Sequence, residues 1–179
     1  MKNLNQIMKY KISTMIKYLL LMALPLIVLT ASAPGKKDIP VEKIKLDDLK
    51  NMMNAENDTL YIINFWATWC KPCVEEIPYF EKVTKKYEGQ KVKVVLVSVD
   101  YPKHYESRVL PFVNDNNIQS KVVLLDEKDP NDWMPQVSKT WQGSIPATLI
   151  IKGDEKTRNF YEKEFTYTEL REIIDNLIN

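Results

Sequence analysis

Leu60-Tyr61-Ile62-Ile63-Asn64-Phe65-Trp66, continued after Ala67-Thr68 by Trp69-Cys70-Lys71-Pro72-Cys73, decides the fold of this chain. The first part is an almost unbroken apolar, β-branched and aromatic run, the pattern of a strand buried on both faces. Beyond the cysteines, Ile77, Phe80, Val83 and Tyr87 recur at helical spacing. Cys70 and Cys73 therefore stand where a central strand ends and a helix begins. Pro72 falls in the first helical turn, where its missing N–H is of no consequence. At such a junction, unpaired backbone N–H groups and the helix dipole favour negative charge on Cys70. Lys71 adds a cation beside it. A thiolate is the species that attacks disulfides, so the arrangement predicts a reactive thiol.

These are the only two cysteines in 179 residues. A structural zinc takes about four ligands, and beyond this pair the sequence offers a single histidine, His104. A purely structural disulfide here would close a very short loop and restrict the unfolded chain little. Neither a metal nor a separate cofactor is expected, and the redox-active group is the Cys70–Cys73 pair itself. His104 lies in the polar segment 101–106 and reads as a surface residue.

The amino terminus reads as a targeting segment. Lys2, Lys9, Lys11 and Lys17 precede an apolar run from Leu19 to Leu29, and Ala31-Ser32-Ala33 supplies small residues of the cleavage-site type. The run is shorter than the ~20 residues a spanning helix needs. Pro34 hinders cleavage after Ala33, which leaves residues 1–33 as either a cleaved signal peptide or a retained membrane anchor. Export to the periplasm or the outer face of the cytoplasmic membrane suits a disulfide-exchange protein, because disulfides persist there. Without residues 1–33 the chain carries 21 basic against 24 acidic residues. That balance argues against nucleic acid, which requires a clustered basic surface.

Residues 34–45 read as a linker ending in a short strand around 39–44, and residues 46–179 as one domain. Within it, a short helix bears Leu46, Leu49, Met52 and Met53. Strand 59–66, helix 71–88 with Gly89 as its stop, and strand 92–99 follow. A helix around 107–116 has Pro111 near its first turn. Strand 121–125 then leads to a helical turn bearing Trp133, Val137 and Trp141. A strand at 147–151 and a polar strand near 156–162 should form an antiparallel hairpin. Thr166 and Glu169 form a capping box ahead of Leu170, Ile173, Ile174, Leu177 and Ile178. Alternating strands and helices predict an α/β fold: a central mixed sheet with helices on both faces.

Phe65 to Cys73, together with the distant Ser144-Ile145-Pro146-Ala147-Thr148, resembles the thioredoxin superfamily, and within it the exported TlpA/ResA-like thiol–disulfide oxidoreductases. The resemblance implies a thioredoxin-like fold over the domain and a cis peptide before Pro146, placed beside the cysteines. It assigns Ile145 to backbone pairing with an extended substrate, a strand-addition mode. With Trp69, Lys71, Pro72 and Pro146, Ile145 completes the expected substrate-binding set. Trp69 is read as a flat apolar wall, Trp66 as core, and Trp133 and Trp141 as core by default.

Thioredoxins carry a buried aspartate six residues before the first cysteine. Asn64 stands there in this chain and cannot take a proton. Glu76, one helical turn after Cys73, matches a glutamate of ResA-like proteins. Two readings stay open for it, an acid–base partner of Cys73 and a solvated helix-start charge; Glu75 has the lesser claim. The resemblance implies a reductant of exported disulfide-containing proteins, including those of cytochrome c maturation, fed by a membrane thiol reductant. The alternatives are a dithiol oxidase or isomerase of the cell envelope and a non-catalytic binding module. Thr68, two residues before Cys70 rather than three, departs from the peroxidase pattern.

Overall fold

The computed structural model describes residues 39–153 and 157–178, with Lys9 and Lys11. The chain divides into two units, 1–37 and 38–179, and the sheet and its helices belong to the second. The targeting segment expected at 1–33 lies, those two lysines apart, outside the described residues. Among the described residues no helix is long and apolar enough to cross a membrane.

Six strands are seen among the described residues: β1 (Glu42–Ile44), β2 (Leu60–Trp66), β3 (Val92–Ser98), β4 (Lys121–Leu125), β5 (Ala147–Lys152) and β6 (Arg158–Tyr161). They form one sheet in the order β1-β4-β3-β2-β5-β6. β1, β4, β3 and β2 run parallel, whereas β5 is antiparallel to both β2 and β6. The sheet is mixed, as the α/β reading expects. β1 pairs with β4, so the stretch read as linker to residue 45 already contributes to the sheet, and the ordered fold begins ahead of Leu46.

In the second unit, among the described residues, the α-helices are α1 (Leu46–Met53), α2 (Lys71–Lys86), α3 (Leu110–Asp115), α4 (Pro130–Val137) and α5 (Tyr167–Ile178). The helix expected around 107–116 is split. A π turn at Tyr105–Val109 precedes α3, because Pro111 sits in the first turn of α3, where a proline is tolerated. α2 stops at Lys86 with Tyr87 as its cap, a little short of the expected 88, and Gly89 follows at φ +78°. The capping box of α5 is formed: Thr166 N–H donates to Glu169 at 2.8 Å, and Glu169 N–H to Thr166 Oγ1 at 3.3 Å.

Alternation along β2 sends successive side chains to opposite faces. Ile62 and Trp66 enter one buried cluster with Ile77, Phe80 and Val83 of α2 and Leu170 and Ile174 of α5. Ile63 and Phe65 enter the other, with Leu49 and Met53 of α1 and Trp133 and Val137 of α4. Both faces are covered, which is why β2 carries no alternation of polarity.

The β5–β6 turn is held by a close approach. A Cβ on Gly153 would lie 2.3 Å from the Asn57 carbonyl oxygen and 2.4 Å from that of Ala55. Backbone of the α1–β2 loop cannot give way as a flexible side chain does. Gly153→Ala should therefore destabilise the fold by about 1–3 kcal/mol, the usual range for overpacking. Thermal unfolding checks this, and an unchanged Tm would show that the loop moves freely.

Candidate active site

The parallel register sets Trp66 of β2 opposite Ser98 of β3, so both strands end at the same edge. Val99 N–H donates to the Trp66 carbonyl at 2.8 Å and extends the pairing one step. Asp100 then turns toward the segment after β2. Its carboxylate accepts from Thr68 N–H at 2.9 Å, from Thr68 Oγ1 at 2.7 Å and from Ser98 Oγ at 2.9 Å. Asp100 is buried, and these bonds compensate the lost hydration of its charge. Local pattern alone does not single out Asp100. The signal was there only in combination: two buried strands that end in step bring the residue after one against the turn after the other.

That turn delivers Cys70 as the N-cap of α2, with Pro72 in the first turn. Cys70 Sγ accepts from Cys73 N–H at 3.3 Å, the helix-start donor expected to favour a thiolate. The two cysteines are joined in a disulfide. Cys70 is 6% exposed and Cys73 fully buried, so an incoming thiol or disulfide can reach only Cys70. Lys71 points outward instead of lying over the sulfur. Its ammonium is 3.6 Å from Glu75, with both side chains well exposed, so solvent screens its influence.

The Ile145–Pro146 peptide is cis, and the Ile145 carbonyl oxygen lies 3.7 Å from Cys70 Sγ. The distance is a van der Waals approach in the disulfide, which has no proton to donate, and becomes available to an S–H once Cys70 is a thiol. The loop ahead of it is pinned. Glu162 accepts from Gln142 N–H at 3.0 Å and Ser144 N–H at 2.6 Å, and the Trp141 indole donates to the Ser144 carbonyl at 2.9 Å. Trp69, next to Cys70 in the chain, is 59% exposed. Trp66, Trp133 and Trp141 are buried. His104 is half-buried in a short 3₁₀ turn, edge-on to Tyr101.

Glu76 is not a solvated helix-start charge. It is 2% exposed and accepts from Asn64 Nδ2 at 2.7 Å and from Phe165 N–H at 2.8 Å. Asn64 also donates to Thr148 Oγ1 at 3.1 Å. Burial, above all, pushes the Glu76 carboxyl up from 4.5 to about 7; the bonds from Phe165 and Asn64 oppose this, and the nearby Glu164 charge adds to it. Asn64 Oδ1 has no partner among the described residues. Reversing that amide would present Oδ1 to a protonated Glu76, so one residue serves the carboxyl in either state. Where thioredoxins carry a buried aspartate, this chain thus sets a neutral amide hydrogen-bonded to a buried carboxyl of α2.

A carboxyl whose folded pKa of about 7 exceeds its ordinary 4.5 binds its proton more tightly in the native state. Its contribution to stability is fully present below about pH 4.5 and is lost as pH rises through 7, roughly 3 kcal/mol in all. Glu76→Gln keeps the shape without the titration. Relative to wild type, the oxidised variant should gain roughly that much stability between pH 4 and pH 8. Denaturant unfolding at pH 4, 6 and 8 measures the gap, and a gap that stays constant would rule out a buried, titrating Glu76.

Residues 30–160 match the AhpC/TSA family. The chain is 35% identical over 140 residues to the thioredoxin-like protein YneN of Bacillus subtilis (strain 168), covering 78% of this chain and 73% of that protein. It is 29% identical over 120 residues to the thiol-disulfide oxidoreductase ResA of Bacillus anthracis, covering 66% of this chain but only 60% of ResA. Among solved structures, StoA from Bacillus subtilis aligns with a TM-score of 0.51 at 20% identity, over 66% of this chain and 84% of StoA. A thioredoxin-related protein from Neisseria meningitidis serogroup B aligns with a TM-score of 0.58 at 20% identity, over 69% and 87% of the two chains. At such identities these structures establish the fold, which is thioredoxin-like. With its cysteine pair at the head of α2 and these relatives, the chain belongs to the AhpC/TSA family in its thioredoxin-like form and is a thiol–disulfide oxidoreductase.

Proposed function

We propose that this oxidoreductase works as a reductant of disulfides in exported proteins, apocytochromes c awaiting maturation among them. The observation that carries the direction is the buried Glu76 one turn from Cys73, with Lys71 turned away from the sulfurs. Strongly oxidising dithiols owe their potential to a stabilised thiolate in the reduced form. A buried carboxyl that becomes negative near neutrality, with no buried cation to offset it among these groups, works against a thiolate and so favours giving electrons away. A relative named as a thiol-disulfide oxidoreductase supports the dithiol chemistry itself.

In the reduced enzyme, Cys70 as thiolate attacks a substrate disulfide, forming a Cys70–substrate bond and expelling the first substrate thiolate. Cys73 loses its proton to Glu76 and attacks Cys70 Sγ, which expels the second substrate thiolate. Two electrons pass from the enzyme dithiol to the substrate, and the Cys70–Cys73 disulfide remains. Ile145 offers its backbone to the extended substrate as an added strand, with Trp69, Lys71, Pro72 and Pro146 around it. The disulfide then needs a donor of the dithiol class, and a membrane thiol reductant fits a chain whose first 33 residues read as an export signal or anchor. The electrons reside in the sulfurs, so no further cofactor enters the cycle.

Equilibration of the Cys70–Cys73 pair with glutathione or dithiothreitol tests the direction. The expected potential lies nearer thioredoxin's value of about −270 mV than the roughly −120 mV of a strong dithiol oxidant. A result at the oxidising end would make the protein a dithiol oxidase. The roles of the cysteines are separable by trapping. Cys73→Ser should accumulate mixed disulfides with exported proteins, visible on non-reducing gels, and Cys70→Ser none. Equal yields from the two variants would undo the assignment of Cys70 as attacking thiol.

A further inference from the structure

Gln142, Gly143 and Ser144 are exposed and lead directly into Ile145. Gly143 stands at φ +103°, a backbone conformation that glycine adopts without strain. The N–H groups on either side of it converge on a single carboxylate. Glu162 Oε2 accepts from Gln142 N–H at 3.0 Å and Glu162 Oε1 from Ser144 N–H at 2.6 Å. This is the geometry of a backbone anion cradle, filled by a side chain of the same protein. Both carboxylate oxygens are engaged, and charge-assisted bonds of this kind are the stronger class. The Trp141 indole donates to the Ser144 carbonyl at 2.9 Å. The residue ahead of Ile145 is therefore held at its N–H and at its C=O.

Glu162 reaches the loop from a fixed backbone. It directly follows β6, whose last residue, Tyr161, pairs with Thr148 of β5. Three residues later, buried Phe165 donates its N–H to Glu76 at 2.8 Å and packs its ring 5.2 Å from that of Tyr161. A carboxylate anchored on both sides gives up less freedom in making these bonds than one on a loose surface chain. Exposed segments open readily when few contacts hold them, so the order of 142–144 depends on this clamp. We propose that Glu162 is a positioning residue for polypeptide substrates. It freezes the loop so that the Ile145 backbone is already shaped to receive an extended chain, and the ordering is completed on folding instead of at each encounter. Glu162 acts through Ser144 and Ile145, not on the sulfurs. A disulfide too small to reach that backbone edge is indifferent to it. This rests on the strand-addition role of Ile145 proposed above.

The test follows acid-quenched single turnovers of the reduced full-length protein with two disulfides. One is an extended Gly/Ser peptide whose single cysteine is disulfide-linked to glutathione; the other is hydroxyethyl disulfide, which has no peptide backbone. Glu162→Ala should raise the half-saturating peptide concentration about tenfold, the effect of having to order roughly one freed residue on binding. The limiting rate with the peptide and the rate with hydroxyethyl disulfide should not change. Glu162→Gln keeps one acceptor oxygen for the two amides and should fall between wild type and Glu162→Ala. If Glu162→Ala fails to fold, Glu162→Gln decides alone by the same two readouts. An unchanged half-saturating concentration overturns the proposal and leaves the strand-addition role standing. Loss of hydroxyethyl disulfide reduction in step with peptide reduction makes Glu162 a general prop of the fold, and overturns the proposal as well. A wild type that shows no saturation with the peptide sinks the strand-addition role itself, and the proposal with it.

Discussion

β2 and β3 end in step, Trp66 opposite Ser98 in a parallel register, and the rest of the site hangs on that alignment. Because the strands stop together, Asp100 meets Thr68 with charge-assisted bonds of 2.7 and 2.9 Å, and the turn between β2 and α2 has a fixed course. Cys70 is then committed to the N-cap, Cys73 to the buried first turn, and the cis Ile145–Pro146 peptide to the neighbouring strand end. A cysteine pair held this way differs from one on a loose loop: Cys70 keeps a small exposed area, and Cys73 is fully buried.

The same strand organises the proton. Asn64 sits two residues before Trp66 on β2 and bonds both Glu76 of α2 and Thr148 of β5. Phe165, just before α5, closes the carboxyl's other oxygen. One carboxyl thus draws donors from the central strand and from the approach to the last helix. A hydrophobic side chain of similar size would be the more stabilising choice at neutral pH, since burial of a charge is unfavourable unless it is well compensated. Glu76 stands one helical turn from Cys73, and burial raises its pKa to about 7.

Alternation along β2 also divides the molecule's work. Trp66 faces the side of α2 and α5 and meets Phe112 at 5.1 Å. Phe65 faces the opposite side, where α4 and the loop before β5 supply Trp133 and Trp141. The cysteine pair belongs to the first cluster and Trp133 and Trp141 to the second, and Val99 and Ile145 pack against both. A single buried strand therefore carries the reactive centre and anchors the surface beside it.

The strand-to-helix junction, the order of elements, the mixed sheet and the pairing of Cys70 with Cys73 were legible in the sequence. Each is written in local spacing: an apolar run, a helical period, two residues between cysteines. The capping box of α5 was legible for the same reason. The depth of Glu76, the bracket made by Asp100, the outward course of Lys71 and the joining of Trp133 and Trp141 into one cluster were decided by the tertiary structure. Helical period places Glu76 on a face but does not say what covers that face, and the covering comes from Asn64 and Phe165, 12 and 89 residues away. Asp100 lies 32 residues from the Thr68 it holds. Burial and charge environment are sums over such distant neighbours, so local pattern named the cysteines and the carboxyl, and only the packed sheet determined how deeply each lies and what it can touch.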